Sequence, residues 1–358
     1  MGIVCLEHVI AHAGLPDMHD TKLRNKAMSA MSNGFVFLCP GQGAQTVGMG
    51  QSWAEFSPAA ASVYQAADEI TSVGTRRLSE YCFAGPQEEL NRTDISQPAL
   101  FTCGMACHSA LFEQHPTIAT VAANGLSLGE YTALCIAGAF SFADGLRLVA
   151  TRGRLMQQAA EASRGGMVAL IGADETQANE VCAAAAHGEV LVPANFNAPG
   201  QIVVSGSVTA CDRAVEVASS MGLRAAKLAV AGAFHSPLMA SAAEGMARAL
   251  EHVDLKPLSV DVWSNVTGLR HERNNPTRLR KLLVEQIISP VRWSQSCSDM
   301  IGAIKGGEIA GGSDATFHEL APNTVLKGLM RRIDRSTEVH THDQHDQPQR
   351  DHAVQTNA

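Results

Sequence analysis

The chain has 358 residues, 46% of them apolar and 17% charged, with a formal net charge of −8. That length holds one large domain with an insertion, or two domains, and the apolar content supports a sizeable core, which excludes global disorder. No apolar run approaches the roughly 18 residues needed to span a bilayer, so no membrane span is expected; with no lysine/arginine block, non-specific nucleic-acid binding is not expected either.

Residues 1–33 contain a short apolar patch and His8, His12 and His19. They lack the long apolar region and cleavage site of a secretory signal, and they are too acidic and arginine-poor for an organelle transit peptide. A disordered leader is expected there, or a misassigned start with Met28 or Met31 as the true one. The first strand is expected at 35–39 (FVFLC), running into the glycine turn PGQGAQ at 40–45. Helical patterns then dominate to about residue 116. Cys103 and Cys107, four apart, are expected to face the core as small hydrophobes. The nine cysteines show neither zinc-like pairing nor a disulfide framework, which fits a reducing cytoplasm. A buried strand is expected at 117–123, a buried helix at 130–139 and a further helix at 144–162. From 165 to 230 the texture changes. A strand (167–172), a helix (175–186), two strands joined by an Asn-Ala-Pro-Gly turn (190–196 and 201–205), a helix (208–221) and a strand (224–230) follow in turn. This βαββαβ order is the ferredoxin-like pattern. The fold expected is α/β, with this small subdomain (164–231) inserted in a large α/β domain (34–163 and 232–335). The large domain resumes with a turn around His235, a helix to about 253, a strand at 259–264 and helices at 279–288 and 325–333. Residues 336–358 are polar and unpatterned, and a disordered tail is expected. Its histidines, His340, His342, His345 and His352, could bind a metal adventitiously, but no functional metal site is expected.

Residues 125–129 read Gly-Leu-Ser-Leu-Gly and fall where the strand at 117–123 should turn into the helix at 130–139. Gly-x-Ser-x-Gly in that context is the nucleophile-elbow signature. The turn would lift the Ser127 hydroxyl clear of the backbone and aim the Leu128 amide at the same spot, so acyl transfer is the first hypothesis. An ordinary βα turn is the bland alternative. A serine hydroxyl needs a base within hydrogen-bond reach. Of the fourteen histidines, His235 stands apart in the apolar turn AGAFHSPLM (231–239). It is either a structural turn residue or a base at the rim of a site. Arg152 lies on a helix with Arg147 and Arg154. It falls about 140° from Arg147 at 3.6 residues per turn, and so points elsewhere.

Several separated blocks, in order, resemble the malonyl-CoA:acyl-carrier-protein transacylases of fatty-acid and polyketide synthesis: PGQGAQTVGMG (40–50), GLSLGEYTAL (125–134), RLVATRGRLMQQA (147–159), ANFNAPGQIVVSG (194–206), AFHSPLM (233–239) and EQIISPVRW (285–293). The resemblance covers about 35–333. It implies an α/β-hydrolase-like core with a ferredoxin-like insert. It also implies ping-pong transfer of malonyl from malonyl-CoA to holo acyl carrier protein through an ester on Ser127, with His235 as base and no bound cofactor. The amides of Gln42 and Leu128 would form the oxyanion hole, the carbonyl of Gln286 would orient His235, and Arg152 would bind the malonyl carboxylate through two parallel hydrogen bonds. Phe234 would crowd an α-methyl branch. Two positions depart from the family pattern: Leu126, usually histidine, and Ala321-Pro322-Asn323, usually Gly-Pro-Gly. A cytoplasmic monomer is expected. The alternatives are a serine thioesterase or hydrolase sharing the elbow, an acyltransferase of a polyketide pathway, and a catalytically silent assembly partner. The last would have lost Ser127, His235 or Arg152, and all three are present.

Overall fold

A computed structural model describes residues 34–345; the leader expected over 1–33 and the end of the expected tail, 346–358, lie outside them. In chain order the elements are β1 (Gly34–Cys39), α1 (Gln51–Phe56), α2 (Pro58–Ile70), α3 (Leu78–Ala84), α4 (Gln87–Leu90), α5 (Thr93–Gln114), β2 (Ala119–Gly125), α6 (Leu128–Ile136) and α7 (Phe142–Ser163). Next come β3 (Gly165–Ile171), α8 (Glu175–Ala186), β4 (Leu191–Ala198), β5 (Gln201–Ser207), α9 (Val208–Ser220) and β6 (Arg224–Lys227). A 3-10 turn (Pro237–Met239) then leads to α10 (Ala240–Glu251), β7 (Asp261–Val262), α11 (Pro276–Glu285), α12 (Trp293–Lys305), β8 (Thr316–Glu319), α13 (Val325–Ile333) and β9 (Val339–Thr341).

β1 shows how the larger body is layered. Phe35, Phe37 and Cys39 enter one hydrophobic cluster, and Val36 and Leu38 another. Alternation with both faces apolar is what a strand covered on both sides requires. β1 is central in a five-stranded sheet of order β7-β2-β1-β8-β9, with every pairing parallel. Helices α5, α6 and α7 cover one face, sharing the cluster of Phe37, Phe101, Leu134 and Val149. Side chains of α12 and α13, such as Met300 and Met330, cover the other with Val36 and Leu38.

The second sheet is antiparallel, of order β4-β5-β3-β6. Its inward residues Val168, Leu170 and Val204 share a separate core with Val181 of α8 and Ala214 of α9. The element order is the βαββαβ order expected. Asp174 caps α8 in a reciprocal box with Gln177, and Ser207 caps α9, each satisfying first-turn amides. This unit is tied to the larger body where β4 meets the segment after α11. The Phe196 amide donates to the Val291 carbonyl (2.9 Å), and the Val291 amide donates to the Ala194 carbonyl (2.8 Å).

Three differences from the expected elements have physical causes. The strand expected at 224–230 stops at Lys227: the Leu228 amide still donates to the Met167 carbonyl (2.9 Å), but the Val230 amide then turns back onto the Leu228 carbonyl (3.0 Å). Helix α12 and strand β8 were not anticipated. β8 reads Thr-Phe-His-Glu, which has no apolar alternation, yet His318 and Glu319 are buried. Glu319 accepts the amides of Leu326 (2.7 Å) and Lys327 (2.8 Å) at the start of α13; burial nevertheless pushes its carboxyl up to about 7. The disordered tail expected from residue 336 is corrected by β9, which pairs with β8. Its hydrogen bonds are made by the backbone, which composition does not reveal, and only Val339 enters the core. The Trp53 indole donates to the His342 carbonyl (2.9 Å) and anchors the segment further.

Substituting Val339→Asp would put a carboxylate into that core. Urea unfolding should then show a loss of more than about 2 kcal/mol; an unchanged midpoint would mean that β9 does not pack as described.

Candidate active site

β2 ends at Gly125 and α6 begins at Leu128, so Leu126 and Ser127 alone reverse the chain. A side chain on Gly125 would overlap the backbone of Gly129, and one on Gly129 would overlap the Cys39 carbonyl at the end of β1. Both positions therefore require glycine. Ser127 is left at φ 53°, ψ −103°, a conformation that costs an L-residue about 1–3 kcal/mol. Asn265 holds it there. The Ser127 amide donates to Asn265 Oδ1 (2.6 Å), and Asn265 Nδ2 donates to the Gly125 carbonyl (2.8 Å).

His235 arrives on the loop after β6. A side chain on Gly232 would overlap Ala160 of α7, so this loop lies directly on that helix. His235 Nδ1 is 2.8 Å from the carbonyl of Gln286, and Nε2 is 2.8 Å from Ser127 Oγ. A carbonyl only accepts, so the proton sits on Nδ1 and Nε2 is left as the acceptor for the serine hydroxyl. The Ser127 oxygen meanwhile accepts from Arg152 Nη2 at 3.2 Å.

Arg152 is 1% exposed, while Arg154 on the same helix is exposed and Arg147 pairs with Asp144 at the surface. The angular separation expected from the sequence is thus realised, and Arg152 points inward. It donates to Gln97 Oε1 (2.7 Å) and Gln286 Oε1 (2.9 Å), and its guanidinium carbon lies 5.4 Å from the centre of the Tyr131 ring. Burial first, and then the Arg152 cation, disfavour an imidazolium and push His235 down to about 4.

Of the residues singled out in the sequence, Ser127, His235, Arg152 and Gln286 form one hydrogen-bonded group. Leu128 opens α6, in the first turn, whose amides lack intrahelical acceptors. Gln42 lies on a loop pressed against the elbow, since a side chain on Gly41 would overlap the Leu126 carbonyl; its own side chain donates to Thr93 Oγ1 (3.2 Å). Phe234 is buried in the main core beside the histidine. Leu126 packs with the cluster on the opposite face of the sheet from Leu128. Asn323 has φ 68°, a left-handed conformation that asparagine tolerates better than most residues. That absorbs the departure at 321–323.

Asn265, Gln97, Glu130 and His271 also belong to this group and were not anticipated. Glu130 left a signal, as an acid on an otherwise apolar helix; Asn265 left none. Among the described residues, no group of three or more His, Cys, Asp or Glu side chains is placed to hold a metal, and no helix is long and apolar enough to cross a membrane.

The arrangement presents a hydroxyl to a neutral base, with a buried cation on the hydroxyl, so it can attack a carbonyl carbon beside an anionic group. The profile of the acyl transferase domain matches residues 36–353. Over 300 residues the chain is 37% identical to the malonyl CoA-acyl carrier protein transacylase of Haemophilus influenzae, covering 84% of this chain and 92% of the relative. The structure of the malonyl-CoA:acyl carrier protein transacylase of Xanthomonas oryzae superimposes with a TM-score of 0.79 at 37% identity, covering 87% and 95% of the two chains. A type II polyketide-synthase malonyl-transacylase, solved with its acyl-carrier protein, also has a TM-score of 0.79, at 32% identity over 87% and 96%. The chain belongs to the malonyl CoA-acyl carrier protein transacylase family.

Labelling of Ser127 by a fluorophosphonate requires a neutral His235. In the folded protein the rate should hold as pH falls through 6 and reach half its plateau near pH 4. Arg152→Ala removes a cation that opposes the imidazolium, so its acid limb should move to higher pH. A wild-type midpoint near 6.5, or no movement in the variant, would contradict the electrostatics described.

Proposed function

We propose that the protein transfers the malonyl group of malonyl-CoA to the phosphopantetheine thiol of acyl carrier protein, by a ping-pong reaction through a malonyl ester on Ser127, and so supplies fatty-acid synthesis. The observation that carries this reading is Arg152, a buried arginine hydrogen-bonded to the nucleophilic oxygen itself. A generic esterase has no use for a cation at the acyl position. A substrate with a free carboxylate does, because a planar guanidinium binds it through two parallel hydrogen bonds.

In the first half-reaction the Ser127 oxygen attacks the thioester carbonyl carbon as His235 Nε2 takes the hydroxyl proton. The amides of Leu128 and Gln42 donate to the oxyanion, the kind of contact worth roughly 10²–10³ in rate. The tetrahedral intermediate collapses by breaking the carbon–sulfur bond, and the imidazolium returns its proton to the departing thiol. The second half-reaction runs the same steps in reverse, with the carrier-protein thiol as nucleophile. Gln286 orients His235 through a neutral carbonyl, so no carboxylate contacts the imidazole directly. When the malonyl carboxylate binds Arg152, it neutralises the cation that suppresses His235 and makes the base stronger. Phe234, next to the base, would disfavour an α-methyl branch.

The βαββαβ unit, over 164–231, serves as a ferredoxin-like subdomain inserted in an α/β-hydrolase-like domain (34–163 and 232–335). The strand order β4-β5-β3-β6 and the parallel larger sheet support those assignments. Coenzyme A and carrier protein each bring their own phosphopantetheine arm, so no bound cofactor is needed. The protein works as a monomer in the cytoplasm.

Intact-mass spectrometry after brief exposure to malonyl-CoA should show a malonyl adduct that holo carrier protein discharges and that Ser127→Ala lacks. Arg152→Ala should lose malonyl loading by roughly 10²-fold or more, as expected for truncating one partner of a buried charge pair, and keep acetyl loading within a few-fold. An adduct lost to water as fast as to carrier protein would make the protein a thioesterase.

A further inference from the structure

Glu130 lies in the first turn of α6, three residues after the nucleophile, and is 1% exposed. A buried carboxylate costs several kcal/mol unless it is fully paired, and an apolar residue of similar size would serve packing better. Its partners explain its presence. Oε2 accepts from Gln286 Nε2 (2.7 Å) and from the backbone amide of Asn265 (3.1 Å), and Oε1 accepts from His271 Nε2 (2.7 Å). His271 comes from the segment after β7, and both side chains of this pair are 1% exposed.

Two of the groups that Glu130 holds, Gln286 and Asn265, in turn hold Ser127 and His235. Gln286 gives its carbonyl to His235 Nδ1, its Nε2 donates to the Ser127 carbonyl (2.9 Å) as well as to Glu130, and its Oε1 accepts from Arg152. The amide of Gln286 therefore spans a buried cation and a buried anion, which fixes which way it points. Asn265, anchored by its own amide on Glu130, accepts the Ser127 amide and holds the elbow in its costly conformation. One carboxylate thus sets the nucleophile through Asn265 and the acceptor of the base through Gln286.

We propose that Glu130, held by His271, is the positioning residue of the acyl-transfer site, assembling Ser127 and His235 before substrate arrives. The proposal rests on the reading of Ser127 as the acyl acceptor and deepens it. It places the effect in kcat rather than KM, because Glu130 is buried with both oxygens taken up by Gln286, Asn265 and His271.

The test uses fluorophosphonate labelling of Ser127, which reads nucleophile–base alignment without any malonyl group, alongside steady-state transfer, well below the melting temperature of each variant. Glu130→Gln should label about tenfold or more slowly, the scale of loss expected from a small misplacement. Its kcat should fall in parallel, and its KM for malonyl-CoA should stay within about threefold of wild type. His271→Phe should show the same loss, and His271→Gln, which keeps a donor for Oε1, should recover most of it. A pair that only stabilises the fold would lower the melting temperature and leave labelling unchanged. Wild-type labelling in folded Glu130→Gln would overturn the proposal; should that variant not fold, equal labelling of His271→Phe and His271→Gln would overturn it instead. A wild-type protein that labels normally but takes no malonyl would count against the transferase reading and leave the positioning role to be judged on labelling alone.

Discussion

The guanidinium of Arg152, closed off from water beneath Ser127, is the constraint around which the rest of the site is arranged. An isolated cation in that position would cost several kcal/mol, so the fold must surround it with acceptors. Gln97 on α5 supplies one, Gln286 after α11 a second, and the nucleophile a third. The Tyr131 ring offers its face from α6. These partners lie far apart in sequence and come together only when the helices have packed on the sheet. The same cation adds to burial in keeping His235 neutral, so the charge proposed to select an anionic substrate also tunes the imidazole.

The scaffold that makes this possible is the parallel sheet. Strands β1 and β2 both end at the site: β1 leads into the loop carrying Gln42, and β2 into the elbow carrying Ser127. Ligand sites in open parallel sheets form in this way, outside the carboxyl ends of the strands. The imidazole paired with Ser127 and the carbonyl on its Nδ1 come from further away. His235 follows the antiparallel unit, and Gln286 precedes the segment that pairs with β4. Arg292, in that segment, donates its amide to the Asn265 carbonyl (2.8 Å), and its guanidinium lies 5.2 Å from the centre of the Phe196 ring. The smaller unit is therefore joined to the larger one through residues adjoining the catalytic group.

Much of this was legible in the sequence, for identifiable reasons. The strand at 35–39 and the elbow at 125–129 announce themselves through apolar runs followed by glycines that backbone proximity demands. The βαββαβ order could be read because each of its elements has clean periodicity. Arg152 could be separated from its neighbours by helical angle alone. What stayed hidden depends on tertiary contact. β8 places His318 and Glu319 in the interior, where Thr316 and His342 satisfy the ring nitrogens of the histidine and the amides of α13 satisfy the carboxyl. β9 has almost no apolar side chains and is held by backbone pairing. Asn265 is one asparagine among many until its position beneath the elbow is known. Glu130 is the intermediate case, since an acid on an apolar helix asks for a partner without naming it.

The most direct test of the central claim is a crystal structure of the malonyl-enzyme, trapped by soaking with malonyl-CoA in the absence of carrier protein. The expected result is a malonyl ester on Ser127 with both carboxylate oxygens on the Arg152 guanidinium, the contact from Nη2 to the serine oxygen replaced, and the bond between Gln286 and Glu130 retained. A carboxylate directed to solvent, with Arg152 still bound to Gln97 and Gln286 as in the free protein, would contradict it.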